Sequence, residues 1–461
     1  MAKLLFHGAA QTVTGSMHIL ETDGGPVALD CGLFQGARRI AREKNETFPL
    51  PPADLRAVVL SHAHIDHSGN IPGLVHHGFG GRVAATSATC DLAAVMLADS
   101  AHIQEEDARF WNKKHPEAPI EPFYTAADIP AVAAQFAGVP YGRPTPIVDG
   151  LTATFLEAGH ILGSAVVLLQ VAGPPPVRLL YTGDLGRFGA AILRDPTCPL
   201  PQADGLITEC TYANRRHENA DQMKERLVAI IKETSRARGK TIIPAFSVGR
   251  TQTIVYYLQQ AVAERLLDPL PIFVDSPLSA AVTEVFRKHT ECYDAEAKAF
   301  WHQEGDIFGR GLVTYVTDVE DSKRLNGRRD PCVIIASSGM CENGRILHHL
   351  AHNVGDERST VLLVGYQAEN TLGRRIAEGR RDLVIFGETY MRRCRIEKLD
   401  GFSAHADAND FRRLLVPLAK RLRAAFVVHG EAAQAEAMRK MLAQAGCSDV
   451  HIPAPGETFT L

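Results

Sequence analysis

The run LSHAHIDHSGN, residues 60–70, sets three imidazoles and a carboxylate within the span His62–His67, directly behind the apolar LRAVVL. His62 and His64 are two apart, so on an extended segment both leave the same side. Asp66 and His67 follow in a turn, because HSGNIPGL reads as a loop running into a helix. A metal site needs neutral imidazoles or carboxylates converging at roughly 2.0–2.2 Å, with other segments closing the shell. Donors this numerous on one loop exceed what a single site can use once distant ligands join it. They suit two adjacent sites.

The remaining ligands are expected at the ends of other strands. EAGHILGS puts His160 behind strand 152–158, with Gly159 letting the backbone approach closely. LLYTGDLGR puts Asp184 behind strand 177–182, and VALDCG puts Asp30 at the end of its own strand. A strand-end Asp before Gly is by itself a turn former. Alongside the histidine loop, these residues become ligand candidates.

The elements that must carry these groups fall into two rhythms. Short β-runs dominate the first part: KLLFHG, SMHILET, PVALD, LRAVVLS, GRVAAT, then LTATFLEA, SAVVLLQV, VRLLYTGD and GLITEC. A long helix between them starts near Thr86, Ser87 or Thr89. Two clusters of short strands with interspersed helices predict two sheets face to face with helices outside. Beyond about residue 212, helices alternate with the strands KTIIPAF, PIFVD, PCVIIASS, STVLLVGY and DLVIFG, which predicts a mostly parallel sheet in a separate domain. GFSAHADANDFRRLL and AAFVVHG then resume the first pattern. The expected organisation is a first domain in two parts, 1–212 and 397–461, with residues 213–396 inserted.

Composition narrows the partners. Apolar content of 45% with 22% charged residues allows large buried cores. No stretch approaches the ~20 apolar residues of a membrane helix, so no membrane association is expected. The N-terminal MAKLLFHGAAQTVTGS lacks a long apolar region, and the nine cysteines never form Cys-x-x-Cys. Both features predict a cytoplasmic protein with reduced thiols. Residues 211–396 carry 27 Lys and Arg against 24 Asp and Glu, while the remainder carries 22 against 29. A nucleic-acid partner would therefore have to meet a local basic surface, since the overall charge is −4.

The set Asp30, His62/His64/Asp66/His67, His160 and Asp184 resembles the metallo-β-lactamase superfamily. The insertion after ITECTY and the returning GFSAHAD and VVHGE resemble its β-CASP branch, which contains the cleavage and polyadenylation specificity factor endonuclease and prokaryotic relatives. GAAQTVTGSMH, LDCGLFQG, SSGMCENGRILHHL and GYQAENTLGR match as well, so the resemblance covers essentially the whole chain. It implies an α/β fold: a metallo-β-lactamase αββα sandwich with an inserted β-CASP α/β domain.

It also implies roles. His62, His64, His160 and Asp184 hold one zinc; Asp66, His67, Asp184 and His429 hold the second, with Asp184 bridging. A hydroxide between two Zn2+ is the implied nucleophile, His405 the general acid and Glu209 its polarising partner, so Asp66, Glu209 and His405 are the implied catalytic residues. Asp30 orients a ligating histidine, and Asp407 acts similarly near His405. A histidine at 429 points to RNA in place of DNA. Ser247, Arg250, Ser337, Ser338, Gly339 and Met340 are the implied RNA contacts, with RNA reaching the cleft between the domains. His348, His349 and His352 lie on a predicted helix, where 348 and 352 share a face, and all three are read as solvated or partner-facing. The expected function is zinc-dependent hydrolysis of single-stranded RNA, with association into a homodimer. The competing readings are a small-molecule ester or thioester hydrolase and a non-catalytic RNA-processing subunit.

Overall fold

A computed structural model describes residues 3–217, 221–309 and 311–461. The chain folds as two compact units. One comprises Met1–Phe188, Arg194–Arg216 and His405–Leu461; the other comprises Gly189–Leu193 and His217–Ala404.

In the first unit, described residues form two seven-stranded sheets. The first runs Thr458–Thr460, Lys3–Phe6, His18–Thr22, Gly25–Leu29, Ala57–Val59, Arg82–Thr86, Phe136–Val139. The second runs Val450–His451, Ala424–Val427, Gly205–Thr208, Val177–Tyr181, Ala165–Val171, Leu151–Glu157, Thr145–Val148. Both mix parallel and antiparallel pairs: Gly25–Leu29 is parallel to Ala57–Val59, and Val177–Tyr181 is parallel to Gly205–Thr208.

Period-two side-chain alternation lets one strand serve two cores. Val177, Leu179 and Tyr181 join Leu4, Val27, Val59 and Phe155 in the core shared by the sheets. Leu180 points the other way, into a cluster with Phe411, Leu414 and Leu415 of the helix Ala408–Ala419 and Met438 of Ala432–Gln444. Each fully buried Leu or Val contributes about 1.5–3 kcal/mol. The loops at the strand ends are thereby held on a rigid base.

The long helix Ser87–Lys114 begins at Thr86, whose hydroxyl accepts from Thr89 N at 3.1 Å. Thr86 and Thr89 also donate to the Gly163 carbonyl at 2.7 and 2.8 Å. The helix start therefore also fastens the loop that follows His160. The expected helix forms at Ile71–His76, and the turn before it, read as a loop, closes as a further short helix, Ile65–Ser68. Ser68 Oγ donates to the carbonyls of Ala63 and His64, which fastens Ile65–Ser68.

The second unit holds a six-stranded parallel sheet, in the order Val313–Tyr315, Ile272–Asp275, Val333–Ala336, Thr241–Pro244, Thr360–Leu363, Arg395–Lys398. Its four middle strands are buried throughout, which is why they read as unbroken apolar runs. DLVIFG, expected as one more strand of this sheet, does not join it. Asp382–Ile385 pairs antiparallel with Glu388–Met391 as a separate hairpin, and Arg395–Lys398 takes the sheet position.

A buried polar knot closes the carboxyl end of this sheet. The Asp275 carboxylate accepts from Arg345 Nη1 and Ser322 Oγ, each at 2.6 Å, and meets His349 Nε2 at 2.6 Å. His349, expected to be solvated or partner-facing, is instead fully buried, because its helix turns that position onto the sheet. Arg345 continues to the carbonyls of Val316 and Thr317. Burial works against the charged carboxylate, but hydrogen bonds from His349, Ser322 and Arg345 outweigh it and hold Asp275 below the usual carboxylate range. Removing one member leaves buried charges without partners. Asp275→Ala is expected to lower stability by about 3–5 kcal/mol, read from the urea midpoint; a loss below about 1 kcal/mol would show the knot to be idle.

Candidate metal centre

The groups singled out around His62 meet at the strand ends of the first unit. His64 Nδ1 lies 3.2 Å from His62 Nε2 and 3.1 Å from His160 Nε2. Asp184 Oδ2 faces the same point, 3.5 Å from His62 Nε2 and 3.6 Å from His160 Nε2. Beside it, Asp184 Oδ1 lies 3.3 Å from His67 Nε2 and 3.7 Å from His429 Nδ1, and His429 Nε2 lies 3.4 Å from Asp66 Oδ2. The two oxygens of Asp184 thus face two donor sets. A third group, Glu209 and His405, adjoins them: His405 Nδ1 is 3.3 Å from Glu209 Oε1 and 3.9 Å from Asp184 Oδ2.

Asp30 holds this arrangement from behind. It sits at φ +58, fully buried, and accepts Ser61 N and Ser61 Oγ, each at 2.7 Å. It also accepts Tyr181 OH and His67 Nδ1, each at 2.6 Å. These bonds set tautomers. With its proton on Asp30, Ser61 Oγ accepts from His62 Nδ1 at 3.0 Å, so the Nε2 lone pair of His62 faces the centre. His67 likewise gives Nδ1–H to Asp30 and turns Nε2 inward. Thr211 Oγ1 lies 3.2 Å from His429 Nδ1, which leaves His429 Nε2 towards Asp66.

Glu209 is fixed by backbone donors, Leu185 N at 2.8 Å on Oε1 and Thr211 N at 3.0 Å on Oε2. His405 is carried to it by pairing of its own backbone with Gly186. Gly186 must be glycine, because a Cβ there would enter the carbonyl of Gly159 in the His160 turn. Asp407, expected to orient His405, is engaged with its own helix. It caps the helix Ala408–Ala419, accepting from Asn409 N and Asp410 N while Asp410 accepts from Asp407 N. Side-chain exposure is 25% at Asp66 and 21% at His405, against 1% or less at Asp184, Glu209 and His67, so a substrate would enter along the Asp66–His405 side.

The electrostatics fit cations. Burial drives His62 well below its ordinary pKa and His64 down to about 4, so both offer lone pairs. Burial opposes charge on Asp184 as well, yet His429, His67 and His62 hold it well below the carboxylate range. His67 and His429 are pushed up against the effect of burial, chiefly by Asp184. Two fully buried atoms at the junction, His67 Nε2 and Asp184 Oδ1, make no hydrogen bond. Donors at these separations form groups that could hold a metal, among them His62, His64, His160 and Asp184, and Asp66, His67 and His429.

Sequence reasoning missed Ser61, Tyr181 and Thr211. Ser61 adjoins His62, Thr211 lies two residues past Glu209, and Tyr181 is an inward position of a core strand; none carries a local signal of its own.

The six residues expected to contact RNA lie in the second unit. Ser276, also missed, links two of them: its Oγ lies 3.3 Å from Ser247 Oγ and 3.2 Å from Ser337 Oγ. Ser338 Oγ accepts from Glu342 N, and the carbonyls of Gly339 and Met340 accept from Gln367 Nε2 and Gly373 N. The Arg250 guanidinium lies over the Phe246 ring at 4.9 Å. Among the described residues, no helix is long and apolar enough to cross a membrane.

Comparison with known proteins follows the same divisions. Residues 11–211 match the Metallo-beta-lactamase superfamily, residues 251–376 the Beta-Casp domain, and residues 389–453 the Zn-dependent metallo-hydrolase RNA specificity domain. "Ribonuclease TTHA0252" of Thermus thermophilus is 35% identical over 95% of both chains. "Transcription termination factor FttA" of Methanocaldococcus jannaschii is 30% identical over 93% of this chain and 67% of its own length. The "RNase J-like protein" of the same organism is 29% identical over 94% and 93%. A solved structure titled as a protein of unknown function from Enterococcus faecalis shares the fold, with a TM-score of 0.59 at 12% identity over 100% of both chains.

Asp30→Ala is expected to lower zinc affinity by about 10–100-fold, because His67 loses the partner that turns Nε2 inward. Titration against a zinc-selective dye measures this. Unchanged affinity would show that Asp30 does not orient the ligand.

Proposed function

The chain belongs to the β-CASP branch of the metallo-β-lactamase superfamily, and on that premise we propose that it is a zinc-dependent ribonuclease hydrolysing phosphodiester bonds of single-stranded RNA. One observation carries the reading: two donor sets share Asp184, and the Glu209–His405 pair stands on their accessible side. His62, His64, His160 and Asp184 Oδ2 would hold one zinc; Asp66, His67, His429 and Asp184 Oδ1 would hold the other. Two such ions supply Lewis acidity towards phosphodiester oxygens and lower the pKa of water towards neutrality.

The chain's own residues supply position and protons. Asp30, Ser61 and Thr211 orient the rings of His67, His62 and His429. Hydrolysis also needs a proton on the departing sugar oxygen. Burial works against a charged His405, but the Glu209 carboxylate outweighs it and lifts the pKa to about 9. With Nδ1–H directed to Glu209, Nε2 of His405 is the atom that delivers the proton. A general acid works while protonated, so its contribution is present below its pKa and is lost above it. The complete set of donors and the acid pair speak against a degenerate, non-catalytic subunit. The match of residues 389–453 to an RNA specificity domain supports RNA over a small ester.

His64→Ala or His67→Ala is expected to abolish cleavage of a labelled single-stranded RNA and to lower bound zinc, measured by atomic absorption. Chelation should abolish cleavage in the unaltered protein; full activity after metal stripping contradicts the mechanism. His405→Ala is expected to lower kcat by about 10²–10⁴-fold while zinc content holds. Glu209→Gln should move the alkaline limb of the pH–rate profile to lower pH. A limb that stays in place would remove Glu209 from the proton-transfer role.

A further inference from the structure

The hairpin of the second unit combines features that folding alone does not call for. Its inner face is apolar and buried, through Leu383 and Ile385. Its outer face shows Val384 at 48% and Met391 at 55% exposure, and Phe386 at the tip is 57% exposed. The Phe386 ring lies 4.6 Å from that of His348, so two exposed rings share the tip.

The other end of the hairpin is basic. Asp382 pairs with Met391, and Arg392 N continues the ladder to the Arg381 carbonyl. Arg381 therefore stands across from Arg392, with Arg380 and Arg393 next along the two arms. Like charges facing each other across antiparallel strands are destabilising, and a two-stranded sheet has little stability to spare. Arg392 has a structural duty, donating to the carbonyls of Gly379, Arg380 and Cys394. Arg375, Arg380, Arg381 and Arg393 are exposed, and no carboxylate pairs with them among the described residues. Residues 374–393 hold six arginines against three acids in a chain whose net charge is −4.

We propose that this hairpin is a docking strip for single-stranded RNA, with Arg380, Arg381 and Arg393 binding backbone phosphates and Phe386 beside His348 stacking a base. The assignment rests on the ribonuclease reading. Guanidinium forks match phosphate oxygens, and an exposed aromatic pair at one end of a basic strip can hold a single strand without reading its sequence. Strands of four residues at about 3.3 Å each set rings and arginines roughly 13 Å apart, within one strand of RNA. A two-fold contact between copies of this chain through the same face would set these cations against themselves.

The test uses the full chain, a fluorescein-labelled 20-nucleotide RNA, and chelator so that the strand is bound without being cut. Arg380→Ala/Arg381→Ala/Arg393→Ala is expected to weaken binding at least tenfold. It should also reduce the slope of log Kd against log salt by about 2, at roughly 0.7 per phosphate contact on a single strand. The corresponding triple Lys variant should keep the slope, which separates charge from misfolding. Phe386→Ala should weaken binding about fivefold or more at an unchanged slope. Wild-type affinity and slope in the triple Ala variant, with RNA cleavage intact in the parent, would overturn the docking strip and leave the ribonuclease reading standing. A parent that neither binds nor cuts RNA would overturn both. A parental dimer that the triple Ala variant splits, with the slope unmoved, would make the hairpin a contact between copies and overturn the RNA assignment.

Discussion

Four donors converge on one buried carboxylate at Asp30, and the geometry of the catalytic end follows from that convergence. Ser61 and His67 come from the segment after one strand of the first sheet, while Tyr181 ends a strand of the second. Asp30 therefore fastens the two sheets at the edge where the ligands emerge. The apolar core between the sheets sets their separation; this carboxylate sets which atoms of His62 and His67 face the gap. Without a full set of donors, a charge buried this deeply would be costly. With the set in place, it acts as a rigid anchor.

In front of that anchor the chain gathers imidazoles and carboxylates that would not otherwise share a dry space. Their ionisation shows the conflict. His62 and His64 are driven neutral by burial, while His67 and His429 are drawn towards protonation, chiefly by Asp184. Protons are then the only positive charge the residues themselves can recruit. Metal ions would displace them, so assembly of the centre is coupled to proton release. His405 leans chiefly on its own carboxylate, Glu209, with Asp184 and Asp66 adding to it.

What could be read from the chain in advance follows from how local each signal is. His62, His64, Asp66 and His67 announce themselves because their spacing alone implies convergence. His405 and His429 depend on a resemblance, since nothing between them and residue 67 reveals proximity. Tyr181 and Ser61 were invisible because an inward tyrosine and a strand-end serine are ordinary core and turn residues; their meaning comes from Asp30 across the fold. The hairpin was misplaced for a related reason. DLVIFG has the composition of any strand, and composition does not name the neighbouring strand. Asp407 opens the capping pattern Asp-Ala-Asn-Asp, a local helix-start signal legible in the chain beside its nearness to His405.

The strand Ala424–Val427 lies inside the second sheet next to Gly205–Thr208, and Thr458–Thr460 borders the first. Both belong to the last part of the chain, as do His405 and His429. On a ribosome, the first two hundred residues thus emerge with an open flank in each sheet and lacking two of the histidines. They must wait through the synthesis of the second unit. The centre cannot close until His405 and His429 have emerged, which is after the whole of the second unit has been made.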